Sequence, residues 1–375
     1  MKIAIFETEH FEGAFPVIRL FDQPGNEIMI ITTEETKRRF DDLLGINSNR
    51  YGWSVLPTGN KCVFFHALYK AIMRQKPDLV YLNTISNNHF LYALVLAHVR
   101  NTRILLTVHD INCLFESRLE YKFREAVVHK GKRWLLKQVN EFNVVSDTMV
   151  QELGKKVGSR PIHNVPGAVF EGDYVPQKLT GALRLVVPGS LDRKRRDYEQ
   201  VFELAELAGK VSLALEIVLL GGARDEYGTS VRDRASKFHS PTTRIITYPS
   251  AVVDQHEFDD QLKNAHFVLI PSVIHTTICG NIPEIYGVTK SSGNIYDVIK
   301  HARPFIVPEK LTVSPDLTTS CFKYSSVAHL IEFLQFLTTT SEEYERWQQE
   351  ALNNSQHYTI ERVRGRNGGL FGAGD

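Results

Sequence analysis

The chain has 375 residues, enough for two domains of ordinary size, and its hydrophobic content of 43% allows each domain a packed core. The formal net charge of +1 excludes a surface that is basic throughout, so no nucleic-acid partner is expected. No stretch approaches the roughly 18 apolar residues of a membrane-spanning helix, so any membrane association is expected to be peripheral.

The N-terminus and the cysteines indicate a cytoplasmic protein. Acidic residues follow the first few apolar ones too soon for the apolar core of a signal peptide. The cysteines lie far apart and include no Cys-x-x-Cys pair, so their spacing predicts neither a disulfide framework nor a zinc site. The expected location is the cytoplasm, with at most a peripheral position on the inner face of the membrane.

The first part of the chain alternates short, β-branched apolar runs with longer stretches of helical periodicity. This alternation is typical of βαβ units in a parallel sheet. Strands are predicted over residues 2–6, 27–32, 78–82, 103–108 and 142–145, with helices over 63–75 and 89–99 between them. Residues 1–170 are therefore predicted to form one doubly wound α/β domain.

A second series of the same kind follows a segment rich in Gly and Pro, at residues 164–180. Its strands are predicted over residues 183–187, 216–220, 243–247, 266–270 and 305–307, which gives a second domain over 171–338. Residues 339–375 are predicted to form a helix that crosses back to the first domain, followed by a loose tail. Two Rossmann-like domains of this kind face each other across a cleft, at the carboxyl ends of both sheets, where ligands of such folds bind.

Several common motifs are absent. The chain has no P-loop sequence, no G-x-G-x-x-G after the first strand and no Asp-x-Asp pair. The last absence argues against an enzyme that holds a diphosphate through a carboxylate-bound divalent metal. Neither a metal nor a cofactor is therefore expected.

A cationic turn follows the first strand of the second domain. Gly189 and Ser190 end the strand, and four consecutive cations, Arg193, Lys194, Arg195 and Arg196, follow within a few residues. Cations are disfavoured at the start of a helix, so the run is either a solvated charged turn or a site for an anion. Its position at the expected cleft favours a diphosphate.

This turn resembles the Gly-Arg-Leu-x-x-x-Lys-Gly segment of GT-B glycosyltransferases of the retaining family-4 type, whose Arg and Lys bind the diphosphate of a nucleotide sugar. By spacing, Arg195 takes the place of the family's Lys. Ser190 replaces the family's Arg, so the resemblance assigns the second charge to Arg193 or Lys194. Two further landmarks match the family in order: Gly221-Gly222 resembles its Gly-x-Gly turn, and Glu284 with Gly287 resembles its Glu-x-Phe-Gly segment, which implies that Glu284 faces the sugar.

The family's second Glu would fall on Ser292, so its Glu-x7-Glu motif is interrupted. The helix that opens here is closer to the Ser-Gly helix of the MurG-like GT-B enzymes. When the two sequences are aligned at Pro304 instead of at Glu284, the resemblance assigns ribose binding to Asp297. The Ser and Asn side chains could simply cap this helix, but free N–H groups and the helix dipole also suit a phosphate. The residues expected to hold the diphosphate here are Lys290, Ser291, Ser292, Gly293 and Asn294.

In the first domain, His109 ends a strand and resembles the family's strand-end His, which faces the donor sugar. A buried structural role for His109 is the alternative. The loop after the first strand carries His10 and Gly13, where the family has a Gly-rich loop facing the donor. His109 and Glu284 are the expected catalytic residues, and Gly189, Ser190, Gly221, Gly222, His10 and Gly13 are expected to line the cleft.

The resemblance implies a metal-independent, retaining glycosyltransferase. It would move a hexose from a UDP-sugar, such as UDP-glucose, to a hydroxyl of a polysaccharide or a lipid-linked glycan precursor. The resemblance implies that the domain at residues 1–170 binds this acceptor and that the domain at residues 171–338 binds the nucleotide sugar. A UDP-sugar 2-epimerase of the same fold is the first alternative and would turn over its substrate without an acceptor. A non-catalytic nucleotide- or sugar-binding protein is the second.

Overall fold

The computed structural model describes residues 1–116, 123–278 and 281–372, without the side chains of residues 123 and 124. The first domain is a parallel sheet with the strand order β3-β2-β1-β4-β5-β6-β7 and helices on both faces. The strands are β1 (Lys2–Phe6), β2 (Glu27–Thr33), β3 (Gly52–Leu56), β4 (Leu79–Leu82), β5 (Arg103–Val108), β6 (Glu141–Val144) and β7 (Ile162–Asn164). The helices are α1 (Phe11–Phe21), α2 (Glu34–Leu44), α3 (Lys61–Gln75), α4 (His89–Leu96), α5 (Ile111–Phe115), α6 (Phe123–Gln138) and α7 (Val150–Val157).

The second domain is a parallel sheet with the order β10-β9-β8-β11-β14-β15, accompanied by the antiparallel hairpin β12-β13. Its strands are β8 (Leu183–Pro188), β9 (Leu215–Leu220), β10 (Thr243–Thr247), β11 (Phe267–Leu269), β12 (His275–Thr277), β13 (Pro283–Ile285), β14 (Phe305–Pro308) and β15 (Cys321–Tyr324). The helices are α8 (Tyr198–Lys210), α9 (Glu226–Ser236), α10 (Gln255–Lys263), α11 (Gly293–His301), α12 (Val327–Thr339), α13 (Ser341–Ser355), α14 (Ile360–Arg366) and α15 (Gly368–Phe371). The prediction of two doubly wound α/β domains is confirmed.

The central strands are apolar along their whole length because both faces of each sheet are covered. In β1, Ala4 and Phe6 belong to one buried cluster and Ile3 and Ile5 to the cluster on the opposite face. The strand β8 divides its side chains between two clusters in the same way. Each sheet is therefore rigid, and the loops at its carboxyl edge have a fixed frame.

The C-terminal segment differs from the predicted loose tail. After α13, the helices α14 and α15 pack on the first domain, where Leu370 and Phe371 are buried. The Arg364 guanidinium donates to the carbonyl oxygen of Leu20 at 2.8 Å, and the Phe371 ring lies 4.8 Å from that of Phe21. The sequence Gly-Gly-Leu-Phe indicated flexibility, but its two apolar side chains are held by the first-domain core.

The two domains also meet directly across the cleft. The N–H of Ile111, at the start of α5, donates to the carbonyl oxygen of Thr289 at 2.9 Å. The side-chain amide of Asn112 donates to the carbonyl oxygen of Pro283 at 2.9 Å. The corner between β5 and α5 is therefore attached to the hairpin β12-β13 and the loop that follows it.

Two sequence expectations about chemistry and location can be compared with the structure. Cys62 and Cys321 have free thiols, whereas Cys113 is disulfide-bonded, which the cysteine spacing did not predict. Cys279 lies outside the described residues. In the ranges that the structure describes, no helix is both long and apolar enough to cross a bilayer.

Candidate functional site

The turn after β8 is built from backbone groups in close contact. Gly189 has φ of +93°, a conformation that favours glycine, and its N–H donates to the carbonyl oxygen of Leu220 at 2.8 Å. A Cβ on Gly221 would lie 2.1 Å from the carbonyl oxygen of Gly189. A Cβ on Gly222 would lie 2.0 Å from that of Ala251. The glycines predicted to line the cleft thus let three loops approach one another.

This packing leads to a prediction about stability. We expect Gly221→Ala to lower the free energy of unfolding by about 1–3 kcal/mol, because the clash is with backbone that cannot rotate away. The matched control is Gly365→Ala in α14, where an added Cβ meets nothing within 4 Å. Urea denaturation of both variants checks this, and an unchanged midpoint for Gly221→Ala would contradict it.

The cationic turn is organised by Asp192 and does not lie inside a helix. Its carboxylate accepts the N–H of Lys194 at 2.8 Å and forms an ion pair with Arg195 at 3.2 Å. The helix α8 begins only at Tyr198, and Asp197 caps it by accepting two backbone N–H groups. The predicted conflict between cations and the helix dipole is therefore absent. Arg193, Lys194 and Arg195 are exposed on the turn.

Arg196, in contrast, points inward and joins this turn to α11. Its guanidinium is buried and donates to the carbonyl oxygen of Ser190 at 3.0 Å and to the amide oxygen of Asn294 at 2.9 Å. Its Nε is buried without a partner. A Cβ on Gly189 would come within 2.2 Å of this guanidinium. Within the described part of the chain no carboxylate forms an ion pair with Arg196, and its charge acts on Asp297 only from further away, lowering the pKa of that carboxyl.

The tip of α11 lies against the same turn. Its N-cap residue, Ser292, makes no side-chain capping bond, so capping does not explain the Ser-Gly-Asn sequence. The Asn294 side chain instead donates to the carbonyl oxygen of Pro188 at 2.7 Å, as well as accepting from Arg196. Backbone N–H groups at a helix start carry a partial positive charge. The helix tip and Arg196 therefore present positive potential to the same side of the cleft.

Asp297 lies one turn further along α11 and is half-buried. Burial, together with the charges of Asp259 and Glu12, raises the pKa of Asp297 to about 7, although the charges of Lys300 and Arg196 lower it. The nearest lysine, Lys300, forms its ion pair with Asp259 at 2.9 Å. Glu12 belongs to the first turn of α1, so Asp297 faces the first domain across the cleft.

Lys290 is placed near the helix tip, but its charge is already paired. Its ammonium group forms an ion pair with Asp110 of the first domain, and the two side chains are 12% and 22% exposed. The two residues also form an isolated antiparallel bridge. Lys290 therefore stabilises the contact between the domains, and binding a phosphate would require it to leave Asp110 or to be shared.

Glu284, expected to face the donor sugar, is fully buried in the hairpin β12-β13. One carboxylate oxygen accepts the N–H of Cys113 in α5 at 2.6 Å, and the other is buried without a partner. Burial raises the pKa of Glu284, and the charge of Asp110 raises it further. In this arrangement Glu284 caps a first-domain helix inside the contact between the domains, so the expectation that it faces the donor sugar does not fit its burial.

The first-domain residues of the expected site form one cluster. The Nε2–H of His109 donates to the carbonyl oxygen of Asn83 at 2.9 Å, which leaves Nδ1 as an acceptor. Burial lowers the pKa of His109, so its ring is neutral near pH 7. The His10 ring lies 6.2 Å away. The carboxylate of Glu7 accepts the N–H of His10 at 2.8 Å and the amide of Asn83 at 2.7 Å, and Gly13 lies beside Asn83.

The structure thus brings together part of the predicted set. The residues that it gathers around Arg196, all in the second domain, are Gly189, Ser190, Ser292 and Asn294, and the charge of Arg196 also acts on Asp297. Sequence reasoning assigned no role to Arg196, although it lies in the same cationic run. Asp197, a good N-cap residue, was the signal that could have identified Arg196. The residue before an N-cap lies outside the helix, so the turn sets the direction of the Arg196 side chain.

Residues 17–169 match a sequence model described as Glycosyltransferase Family 4. The match covers most of the first domain and ends at the segment between the domains. No curated protein sequence matches the chain.

Several solved structures have the same arrangement over nearly the whole chain. Sucrose-phosphate synthase from Thermosynechococcus elongatus aligns with a TM-score of 0.66 and 14% identity, covering 99% of this chain and 98% of that one. A glycosyltransferase from Rickettsia africae gives 0.66 and 12%, covering 99% and 97%. HepE from Anabaena, in complex with UDP, gives 0.64 and 9%, covering 99% of each chain. UDP-GlcNAc 2-epimerases also align, for example that of Neisseria meningitidis, with a TM-score of 0.56 and 12% identity over 97% of this chain and 99% of that one. Similarity at these identities establishes the GT-B arrangement of two Rossmann-like domains, and function has to be argued from the site.

Proposed function

We propose that the chain is a glycosyltransferase that moves a hexose from a UDP-sugar to a hydroxyl of a polysaccharide or lipid-linked glycan precursor. The observation that carries this proposal is the buried guanidinium of Arg196. It has no ion-pair partner among the described residues and donates to Asn294 at the tip of α11. The family match over residues 17–169 and the UDP-bound fold relative support the same reading.

The diphosphate would lie between the turn after β8 and the tip of α11. Stabilising a departing diphosphate is the main electrostatic demand when a glycosidic bond forms from such a donor. Arg196 supplies a fixed positive charge, and the N–H groups of Gly293 and Asn294 supply oriented dipoles. Arg195 would supply the second positive charge. Burial raises the pKa of Tyr286 to about 12, and the charges of Arg195 and Arg196 both lower it, so the two cations lie near the same side chain. Arg193, Lys194, Lys290, Ser291 and Ser292 complete the proposed diphosphate site.

The rest of the donor would extend from this point in two directions. Asp297 has a carboxylate without an ion-pair partner in the described residues, and it would accept hydrogen bonds from the ribose hydroxyls. His109 would face the sugar from the first domain, whereas Glu284, fully buried against α5, would hold the corner between β5 and α5 in place. A neutral His109 with a free Nδ1 suits a hydrogen bond from a sugar hydroxyl. The proposal needs no metal, and retention of anomeric configuration rests on the family resemblance.

A thermal-shift series with UDP, GDP, ADP and CMP tests the donor assignment. A nucleotide that binds only the folded chain raises the melting temperature of the chain. At a nucleotide concentration 100 times the dissociation constant, the free energy of unfolding rises by about 2.7 kcal/mol. We expect UDP to give the largest shift. No response to any of these nucleotides would remove the donor assignment and with it the transferase.

The epimerase is the second candidate, and two observations favour keeping it. Structures of UDP-GlcNAc 2-epimerases align with the chain, and the cleft holds titratable groups from both domains. An epimerase needs an acid and a base on the donor sugar itself. Conversion of a UDP-sugar to its 2-epimer without any acceptor would identify this activity. Tight UDP binding without turnover of any UDP-sugar would instead favour a non-catalytic binding protein.

A further inference from the structure

A second guanidinium of the second domain is fully buried, with most of its donors unused. Arg303 stands just before β14 and has no exposed surface. Its Nη2 donates to the carbonyl oxygen of Val175 at 2.7 Å. Its Nε and Nη1 are buried and have no hydrogen-bond partner among the described residues. Because a guanidinium stays protonated in proteins, this position holds a full positive charge away from water.

The charge of Arg303 is not balanced by a neighbouring carboxylate. Among the described residues no carboxylate forms an ion pair with it. The carboxylate whose charge acts on it, that of Asp173, is exposed and pairs with Lys263 at 2.6 Å. The centre of the Tyr174 ring lies 5.6 Å from the guanidinium carbon and offers only the face of its π system. A buried charge without a counter-charge is costly, so a further negative group is expected here.

A second unused donor lies beside this guanidinium. Tyr344, on α13, is 1% exposed, and its hydroxyl has no hydrogen-bond partner among the described residues. Burial raises the pKa of Tyr344 and the charge of Arg303 lowers it, so the two groups lie near each other. They form no hydrogen bond with one another. Two buried donors that do not meet require an acceptor, since buried polar groups in folded proteins are nearly always paired.

The nearest histidine does not supply that acceptor. The His266 ring lies 5.3 Å from the Tyr344 ring. Its Nδ1 accepts the N–H of Arg184 at 2.7 Å, and its Nε2–H donates to the carbonyl oxygen of Lys178 at 3.1 Å. Burial lowers the pKa of His266, and the charge of Arg303 lowers it as well. The ring is therefore neutral near pH 7, and both of its nitrogens are in use.

The cluster lies at the amino-terminal edge of the second sheet, opposite the cleft. Arg303 precedes β14, a parallel strand whose carboxyl end faces the cleft. The segment between the domains passes here: Val175 is bonded to Arg303, and the Gln348 side chain of α13 bonds the N–H of Gln177 at 2.7 Å and its carbonyl oxygen at 2.8 Å. A ligand beside the guanidinium would join this segment to α13.

We propose that Arg303 and Tyr344 bind a small monovalent inorganic anion, of the size of chloride, between the segment that joins the domains and α13. The guanidinium supplies the positive charge and free N–H groups, and the phenol supplies an O–H donor. Full burial does not suit a nucleotide or a phosphate ester, and a divalent anion loses more hydration free energy than a monovalent one. The inference does not rest on the proposed transferase activity.

Crystals of the full chain soaked in sodium bromide test the position of the site, because bromide has the charge of chloride and scatters anomalously. We expect an anomalous peak in contact with the Arg303 guanidinium and the Tyr344 hydroxyl. The absence of a peak there would overturn the proposal.

Melting temperatures in sodium chloride and in sodium gluconate, at equal ionic strength, test whether the anion acts in solution. Gluconate is too large for a buried site, and an anion that binds only the folded chain raises its melting temperature. We expect the wild-type chain to melt about 2–4 °C higher in chloride. A bromide peak without this difference would indicate an adventitious ion only and would overturn the proposal.

Two variants and a control assign the difference to this site. Arg303→Met should abolish the difference between chloride and gluconate, and Tyr344→Phe, which keeps the ring, should reduce it. The control is Arg364→Met, which removes a guanidinium whose Nε and Nη2 are bonded to carbonyl oxygens of the first domain, and it should keep the full difference.

All of these variants should keep the thermal shift with UDP, because the site lies opposite the cleft. Failure of the wild-type chain to respond to UDP would therefore affect the proposed function and not this inference. An unchanged chloride effect in Arg303→Met or in Tyr344→Phe, or an equal loss in Arg364→Met, would overturn the anion site. If Arg303→Met does not fold, Tyr344→Phe decides.

Discussion

Replacing Arg196 with methionine is expected to weaken UDP binding about 10- to 100-fold, since a hydrogen bond to a charged group contributes about 1.5–3 kcal/mol. Among the described residues the buried guanidinium is bonded to uncharged groups, those of Ser190, Asn294 and Tyr198. A bound diphosphate would supply the missing negative charge. Calorimetric titration with UDP measures the loss of affinity.

The same substitution should lower stability, because the oxygens of Ser190 and Asn294 lose their shorter hydrogen bonds and keep only those from Tyr198 at 3.3 Å and Ser292 at 3.5 Å. Each lost hydrogen bond costs about 1 kcal/mol, and urea denaturation measures the total. Arg196→Lys keeps the charge but not the two-pronged geometry, so it should recover part of the UDP affinity.

Arg195→Met is the matched control, since it removes a neighbouring cation that is exposed and paired with Asp192. It should weaken UDP binding less than Arg196→Met and leave the urea midpoint nearly unchanged. The opposite order, with Arg195→Met abolishing UDP binding and Arg196→Met leaving it intact, would show that the family spacing assigned the diphosphate correctly and that Arg196 is structural.

Replacing Asp297 with asparagine is expected to stabilise the free chain at neutral and alkaline pH. The folded-state pKa of about 7 lies above the ordinary value of 3.8, so the folded chain holds this proton more tightly than the unfolded chain. Stability therefore falls as the pH rises from about 4 to 7 and then stays level. Asn cannot ionise, so the variant should match the wild type near pH 4 and exceed it at pH 8 by about 1–2 kcal/mol, allowing for screening of a half-buried group.

The same substitution should weaken UDP binding about tenfold or more, because a neutral amide is a poorer acceptor for ribose hydroxyls than a carboxylate. Melting temperatures from pH 4 to pH 8 and UDP titrations at pH 8 measure the two effects. Glu309→Gln, an exposed carboxylate just beyond β14, is the control for charge removal. A variant with the wild-type pH profile would show that Asp297 is not held in its neutral form.

Strands that are buried on both faces could be predicted from the sequence, because they are continuous apolar runs of β-branched residues. The predicted runs at 2–6 and 103–108 agree with β1 and β5 residue for residue. The strands missed were β3, β7 and β15, at or near sheet edges, and the short hairpin β12-β13. Edge strands expose one side, so their sequences lack such a run; in β3, Val55 is 42% exposed.

The sequence also indicated which two segments of the second domain come together at the candidate site. Strand ends of parallel sheets meet at one edge, so the turn at Gly189 and the helix tip at Ser292 were expected to converge. The contact between Arg196 and Asn294 bears out this convergence, although with a different arginine from the one that the spacing selected.

The sequence by itself determined the two-domain α/β architecture and the position of the cleft, because both follow from local hydrophobic periodicity and chain order. Only the tertiary structure decided how the charges are used. In the structure Arg196 points inward, and Arg195 forms an ion pair with Asp192. Lys290 forms an ion pair with Asp110, and Glu284 accepts a backbone N–H of α5. The direction and partner of a long polar side chain depend on residues that are distant in sequence, and neither periodicity nor spacing carries that information.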